Sequence, residues 1–270
     1  MSNDSEPTVT HYSQYYPQGV KRVLTSGGSA FIGEIDDSTV FKYSLAPGVE
    51  VNRLEAERKI LEIVGRHERI IALKGFSEEG IYLERAVNGT IADYILDPDR
   101  SPSLRQRLLW CRELAEAIVW IHARRVLHCD IQPTNVLLDE ELHIKLSDFQ
   151  GRHLSENGEI LLDGWACESC RFSCPRDDAF DADITTDLFA LGCTIYFIMV
   201  GHAVFPDIIN GEDDWHEKVE HRFVTKQFPQ DQHACSTVTL KCWQKEYQNA
   251  AEIVRDLVAL EEQYQIEEAK

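Results

Sequence analysis

The sequence predicts an α+β fold, with a small strand-rich N-terminal part followed by a larger helical one. Two observations lead there. Val20 to Tyr43 alternates apolar segments with turn residues, whereas Val51–Val64 and Leu104–His122 repeat apolar residues at helical intervals. In addition, the stretch from His128 to Gly151, HCDIQPTNVLLDEELHIKLSDFQG, holds two short apolar runs that read as a buried hairpin between helical regions.

Taken in order, Val20 to Tyr43 fits two or three antiparallel strands, with turns at Ser26-Gly27-Gly28-Ser29 and at Asp36-Asp37-Ser38. Val51–Val64 is a helix with Leu54, Ile60, Leu61 and Val64 at core intervals and Glu57 on the same helix. Ile70 to Phe76 and Gly80 to Glu84 read as two further strands. Ser103 caps a long helix, Leu104–His122, whose Trp110 and Trp120 are packing aromatics. A polar stretch from Gly151 to Arg176 precedes a nearly all-apolar helix ended by Gly201, and helical patterns at Ser236–Trp243 and Ala250 to Leu260 close the chain.

The chemistry concentrates in the hairpin region. Asp130, Asn135 and Asp148 stand at the ends of the runs Val136–Leu138 and Ile144–Leu146. An Asp followed by an Asn on one tight loop, with a second Asp returning on the next strand, outlines an oxygen-rich mouth. Magnesium suits such a mouth, because it prefers one or two carboxylates plus water and phosphate oxygens to a closed protein cage. The remaining Asp is then free to orient an attacking hydroxyl. The plain alternative is a hairpin with solvated acids at its ends.

In these residues the chain resembles the protein-kinase family, whose catalytic loop reads H-R-D-L-x-x-x-x-N and whose metal motif reads D-F-G. Here they stand as His128-Cys129-Asp130 with Asn135, and as Asp148-Phe149-Gln150. The resemblance implies a two-lobed protein-kinase-like fold over about residues 20–262, with an N-lobe over about 20–84 and a C-lobe over about 87–262. It leaves a polar lead-in at 1–19 and an acidic tail at 263–270.

The same resemblance implies roles for other residues. Lys42, closing Thr39-Val40-Phe41, matches the lysine of the V-A-I-K strand that steadies the α- and β-phosphates of ATP. Glu57 is the acid expected to pair with it. Glu55 is the competing choice, and the offset from Ile60 and Leu61 favours Glu57. Asp130 accepts or orients the hydroxyl proton, and Asn135 and Asp148 hold Mg²⁺. The implied nucleotide site comprises Gly27, Gly28, Ser29, Val40, Lys42, Leu83, Glu84 and Ala86. Leu83 guards the pocket, and backbone groups near Glu84 to Ala86 meet the adenine. The implied reaction transfers the γ-phosphoryl of ATP to a protein hydroxyl, with a Ser/Thr preference. A pseudokinase scaffold is the alternative, and a small-molecule phosphotransferase fits less well.

Several positions depart from the family pattern. Ser26 and Phe31 fall at the first and third positions of the glycine-rich loop, so an ordinary hairpin turn competes with phosphate binding there. Cys129 replaces an arginine that often meets a phosphate on the activation segment, and Gln132 stands where Ser/Thr-specific members carry a lysine. Gln150 adds a Cβ where D-F-G has glycine, which restricts the backbone. Cys174-Pro175-Arg176 reverses the charge of A-P-E, and Tyr247 takes the place of its arginine partner.

Composition narrows the class further. A formal charge of -19 disfavours nucleic acid and anionic membrane as the main partners, and the partner that the resemblance implies is a protein substrate. The acid clusters are solvated faces or, less simply, an attraction for basic substrates. No apolar run reaches membrane-spanning length, and the polar start lacks a secretory pattern, so a cytoplasmic, or at least intracellular, location is expected. Eight cysteines then read as reduced thiols. Cys167, Cys170 and Cys174 invite a zinc site but lack an obvious fourth ligand.

Overall fold

A computed structural model describes residues 15–46, 48–49, 51–178 and 180–268. Most of the lead-in expected at 1–19 lies outside these residues. The described part begins packed against the sheet, where the Tyr43 hydroxyl donates to the Tyr15 carbonyl over 3.1 Å.

The strand-rich half is one antiparallel sheet of β1 (Arg22–Ser26), β2 (Ala30–Asp36), β3 (Thr39–Ser44), β4 (Leu73–Ser77) and β5 (Gly80–Glu84), in the order β1-β2-β3-β5-β4. Strand β3 is central and buried from Val40 to Ser44, which places Lys42 inside the protein rather than on its surface. Helix α1 (Val51–Val64) lies against β3, β4 and β5. Its buried face carries Leu54, Ala56, Glu57, Ile60, Leu61 and Val64, so a carboxylate sits within an otherwise apolar stripe.

The strand expected from Ile70 to Phe76 begins only at Leu73. Ile70 bridges to Leu146 instead. The Leu146 N–H donates to the Arg69 carbonyl and the Ile71 N–H to the Leu146 carbonyl, both at 2.9 Å. Ile70 and Ile71 are both buried, and burying them against the other half of the molecule takes their backbone out of sheet register.

The helical half contains α2 (Ile91–Leu96), α3 (Leu104–His122), α4 (Ile184–Val200), α5 (Trp215–Val224), α6 (Ser236–Trp243) and α7 (Ala250–Glu268). The Ser103 hydroxyl accepts the Gln106 N–H and caps α3, as the sequence predicts. Asp183 and Thr186 form a capping box on α4, and Gly201 ends that helix in the left-handed region with φ 87°. Helix α7 packs along α3, and Arg112 joins them through Glu261 at 2.9 Å. It continues to Glu268, so the described part of the stretch expected as an acidic tail is helical.

Short strands connect the halves: β6 (Val126–Leu127), the hairpin β7 (Val136–Leu138) with β8 (Ile144–Leu146), and a second hairpin, β9 (Arg152–Leu154) with β10 (Ile160–Asp163). The second hairpin lies in the stretch read from sequence only as polar. Its signal is the Asn157-Gly158 turn before Ile160-Leu161-Leu162, with Gly158 at φ 83°.

Candidate active site

The hub of the cleft is the Lys42 ammonium. It lies 2.6 Å from Glu57 Oε2 and also contacts the Asp148 carboxylate. Burial alone favours a neutral amine, but the two carboxylates outweigh it and hold the Lys42 pKa above the usual lysine range. Burial pushes the Glu57 carboxyl up, an effect that Lys42 opposes. At Asp148 burial is the largest influence and acts upward, but Lys42 overcomes it and the pKa is lowered. Exposure separates the two acids. The Glu57 side chain is 0% exposed, whereas Asp148 keeps 37%. Glu55, the competing choice, is half-exposed on the outer face and bonded to Arg58 and Lys59, with its pKa lowered to about 2 mainly by the Arg58 hydrogen bond.

Asp130 and Asn135 share the facing loop. The Asn135 amide donates to both the Asp130 carbonyl and Asp130 Oδ2, each at 2.8 Å. The Ser147 N–H and hydroxyl both donate to the Asn135 carbonyl at 2.9 Å, which ties the loop to the residue preceding Asp148. Gln132 completes the arrangement. Its amide donates to both Asp130 oxygens, at 2.8 and 2.9 Å, and its carbonyl accepts the Ser169 hydroxyl at 3.3 Å. Burial pushes the Asp130 pKa up, opposed by His128 and by these hydrogen bonds and reinforced by Asp148.

The loop is held from below by Asp187, in the first turn of α4, where the run Asp187-Leu188-Phe189-Ala190-Leu191-Gly192 resembles the family's S-D-V-W-A-L-G helix start. Its oxygens accept the His128 N–H at 2.8 Å and the Cys129 N–H at 2.9 Å, and the His122 ring lies 2.9 Å away. Cys129 has φ 60° and Asp148 φ 64°, both costly for residues with a Cβ. The Asp187 carboxylate fixes the first of these, and Lys42 engages the side chain of the second. Asp187 is fully buried; burial pushes its pKa up, but His122 and His128 outweigh that and hold it low.

The other residues of the expected nucleotide site lie on β3, on β5 and just beyond it, and in the β1–β2 turn. Val40 and Leu83 are directly opposite each other in the β3–β5 ladder and are both buried. The Glu84 side chain points elsewhere, with Oε1 3.0 Å from Lys145 and Oε2 accepting the Ala72 N–H. The Glu84 and Arg85 N–H groups are bonded to Ala72 and Ser38. The Ala86 N–H has no hydrogen-bond partner among the described residues. Gly27, Gly28 and Ser29 form the β1–β2 turn, closed by the Gly27 N–H donating to Ala30 at 2.8 Å.

The departures from the motif have structural partners. Cys129 is buried and close-packed, and Arg152 nearby is already engaged by Asp163 at 3.0 Å and by the Phe180 carbonyl. Arg176 pairs with Glu168, and the Tyr247 hydroxyl donates to Asp256 at 2.6 Å. The Gln150 side chain turns inward and donates to Glu57 Oε2 at 3.1 Å, a contact that sequence reasoning, which weighed only its backbone, missed. Cys167 is exposed, Cys170 half-buried and Cys174 buried, and no group of three or more His, Cys, Asp or Glu among the described residues is disposed to hold a metal ion.

Comparison with known proteins agrees with this geometry. A Fusarium virguliforme sucrose non-fermenting protein kinase 1 is 30% identical over 161 residues, 57% of this chain and 22% of the relative. A carbon catabolite-derepressing protein kinase from Secale cereale is 27% identical over 129 residues, 47% of this chain and 25% of the relative. A leaf rust 10 disease-resistance locus receptor-like protein kinase-like 1.2 from Arabidopsis thaliana is 30% identical over 132 residues, 45% of this chain and 20% of the relative. The chain thus matches no more than about a quarter of these relatives' own length. The protein kinase domain family matches residues 40–265, most of the chain, beginning in β3 and leaving the glycine turn outside the match. With its two-lobed α+β architecture, the chain belongs to the protein kinase domain family.

Proposed function

We propose that the chain transfers the γ-phosphoryl group of ATP to a serine or threonine hydroxyl of a protein. The observation that carries this reading is the convergence on one cleft of Lys42, paired with Glu57 and Asp148, and of the Asp130–Asn135 loop. Phosphoryl transfer needs little covalent chemistry from a protein; it needs positioning and neutralisation of phosphate charge. Lys42 supplies a fixed cation. Asp130, aligned by Gln132 and Asn135, is the group to orient the acceptor hydroxyl and take its proton. Gln132, neutral where Ser/Thr-specific members carry a lysine, aligns Asp130 by hydrogen bonds but supplies no charge to the transferring phosphate.

The donor set fits Mg²⁺. Asp148 offers a partly exposed carboxylate, and Asn135 has its side-chain nitrogen committed to Asp130, so its side-chain oxygen, Oδ1, is left to meet a cation. A bound Mg²⁺ would neutralise phosphate charge. Val40, Leu83 and the Ala86 N–H are the groups proposed for the adenine, and Gly27, Gly28 and Ser29 those for the phosphates. The kinase unit proposed spans about 20–262, and a cytoplasmic location suits its free thiols. No helix among the described residues is long and apolar enough to cross a membrane.

A nucleotide-binding scaffold without transfer is the second reading. It rests on the tight β1–β2 turn, whose Gly27 amide is already bonded to Ala30 and is not free for a phosphate. Transfer of radiolabelled phosphate from Mg-ATP to a generic protein substrate tests the choice, with Asp130→Asn and Asp148→Asn as controls. Label on the substrate with the natural chain alone supports the kinase. A melting shift with Mg-ATP but no label from any form supports the scaffold.

A further inference from the structure

We propose that Gln150 is a positioning residue, whose carboxamide holds Glu57 on Lys42 and so keeps the cleft assembled without help from a partner or from phosphate on the 151–176 segment. The inference rests on the kinase reading and names how that site is kept in its working arrangement.

The argument starts from Glu57. Its side chain is fully buried, and Oε1 has no hydrogen-bond partner among the described residues. A buried carboxylate with one oxygen unsatisfied is costly, and it stays in place only if its other oxygen is held well. Both described donors, Lys42 at 2.6 Å and Gln150 at 3.1 Å, meet the same atom, Oε2. Removing Gln150 leaves Lys42, which Asp148 also attracts. Glycine at position 150 has no side chain to make this contact.

Gln150 is itself immobilised. Its N–H donates to the Asp148 carbonyl at 2.9 Å, and its own carbonyl accepts the Ala166 N–H at 2.9 Å. A Cβ on Gly164 would lie 2.4 Å from the Gln150 carbonyl oxygen, so only glycine allows this approach. The neighbouring Gly151 N–C=O unit is tied in as well, since its carbonyl accepts the Gly164 N–H at 2.8 Å. One residue thereby joins α1, the Asp148 turn and the β9–β10 segment. Two positions near this segment offer no free cation to a phosphate on it, because position 129 is a cysteine and Arg152 is paired with Asp163.

The test compares the natural chain, produced in bacteria and shown by intact mass to carry no phosphate, with Gln150→Leu, which keeps the bulk but loses the donor. Two readouts are taken: affinity for Mg-ATP by calorimetry, and amide hydrogen exchange of α1 without nucleotide. The expected result is about tenfold weaker binding and severalfold faster exchange across α1. In a Glu57→Ala background the same change should weaken binding no further, an outcome that a merely structural role would not produce. Unchanged affinity and exchange, or an equal loss in the Glu57→Ala background, overturns the inference. If the natural chain binds no Mg-ATP the kinase reading falls, and α1 exchange alone decides the role of Gln150. Should Gln150→Leu not fold, Gln150→Gly carries the same comparison.

Discussion

Arg176 turns back to Glu168, with Nη2 2.6 Å from Oε2 and the Glu168 side chain only 1% exposed. The reversed charge at position 176 has thus acquired a new acid from within the same segment. Its guanidinium also donates to the Cys174 carbonyl at 3.2 Å, so the pair pins the segment just before α4.

Breaking that pair one-sidedly should be expensive. Arg176→Ala leaves the Glu168 carboxylate buried without its cation and should cost about 3 kcal/mol. Arg176→Glu should cost more, and adding Glu168→Arg should recover much of the loss. Urea denaturation of the single and double variants measures this. Equal stability of Arg176→Glu and the double variant would show that the two side chains do not depend on each other.

Asp187 should govern acid stability. Its folded pKa is depressed, so its contribution is complete above the unfolded value of about 3.9 and disappears as pH falls through the lower folded value. Asp187→Asn should cost about 3 kcal/mol at pH 7. It should also flatten the stability profile below about pH 4, as measured by unfolding across pH.

The pH dependence of transfer should report Asp130. Its carboxyl is raised, chiefly by burial, so the ionised form that can take a proton is lost at a higher pH than for an ordinary carboxylate. Gln132→Ala removes two hydrogen bonds to the ionised form and should move the acid limb of kcat/KM upward. Gln132→Lys adds a cation and should move that limb downward while raising the rate severalfold. A limb that stays put in both variants would take Asp130 out of the titration.

Lys42→Met should abolish most transfer by removing the only cation that both Glu57 and Asp148 contact among the described salt bridges. A loss of about 10²–10³ in kcat is expected. Because Glu55 is bonded outside the cleft, Glu55→Ala should leave kcat within about twofold. Parallel steady-state kinetics of the two variants distinguish the roles.

Much of this molecule is legible in the residue order. Apolar periodicity locates α1 and α3, Ser103 and Gly201 mark helix ends, and resemblance to the family's short motifs picks out Lys42, Glu57, Asp130, Asn135 and Asp148. These are short-range signals: a helical stripe, a cap or a loop motif is written within a few neighbouring residues. Three-dimensional packing alone decided the rest. That Ile70 leaves the sheet for Leu146, that Asp187 anchors the loop, that Arg176 finds Glu168 and that Gln150 reaches Glu57 are contacts across the fold. The physical reason is that a buried charge or amide must find a partner wherever packing puts one, and sequence spacing carries no record of which distant group will be there.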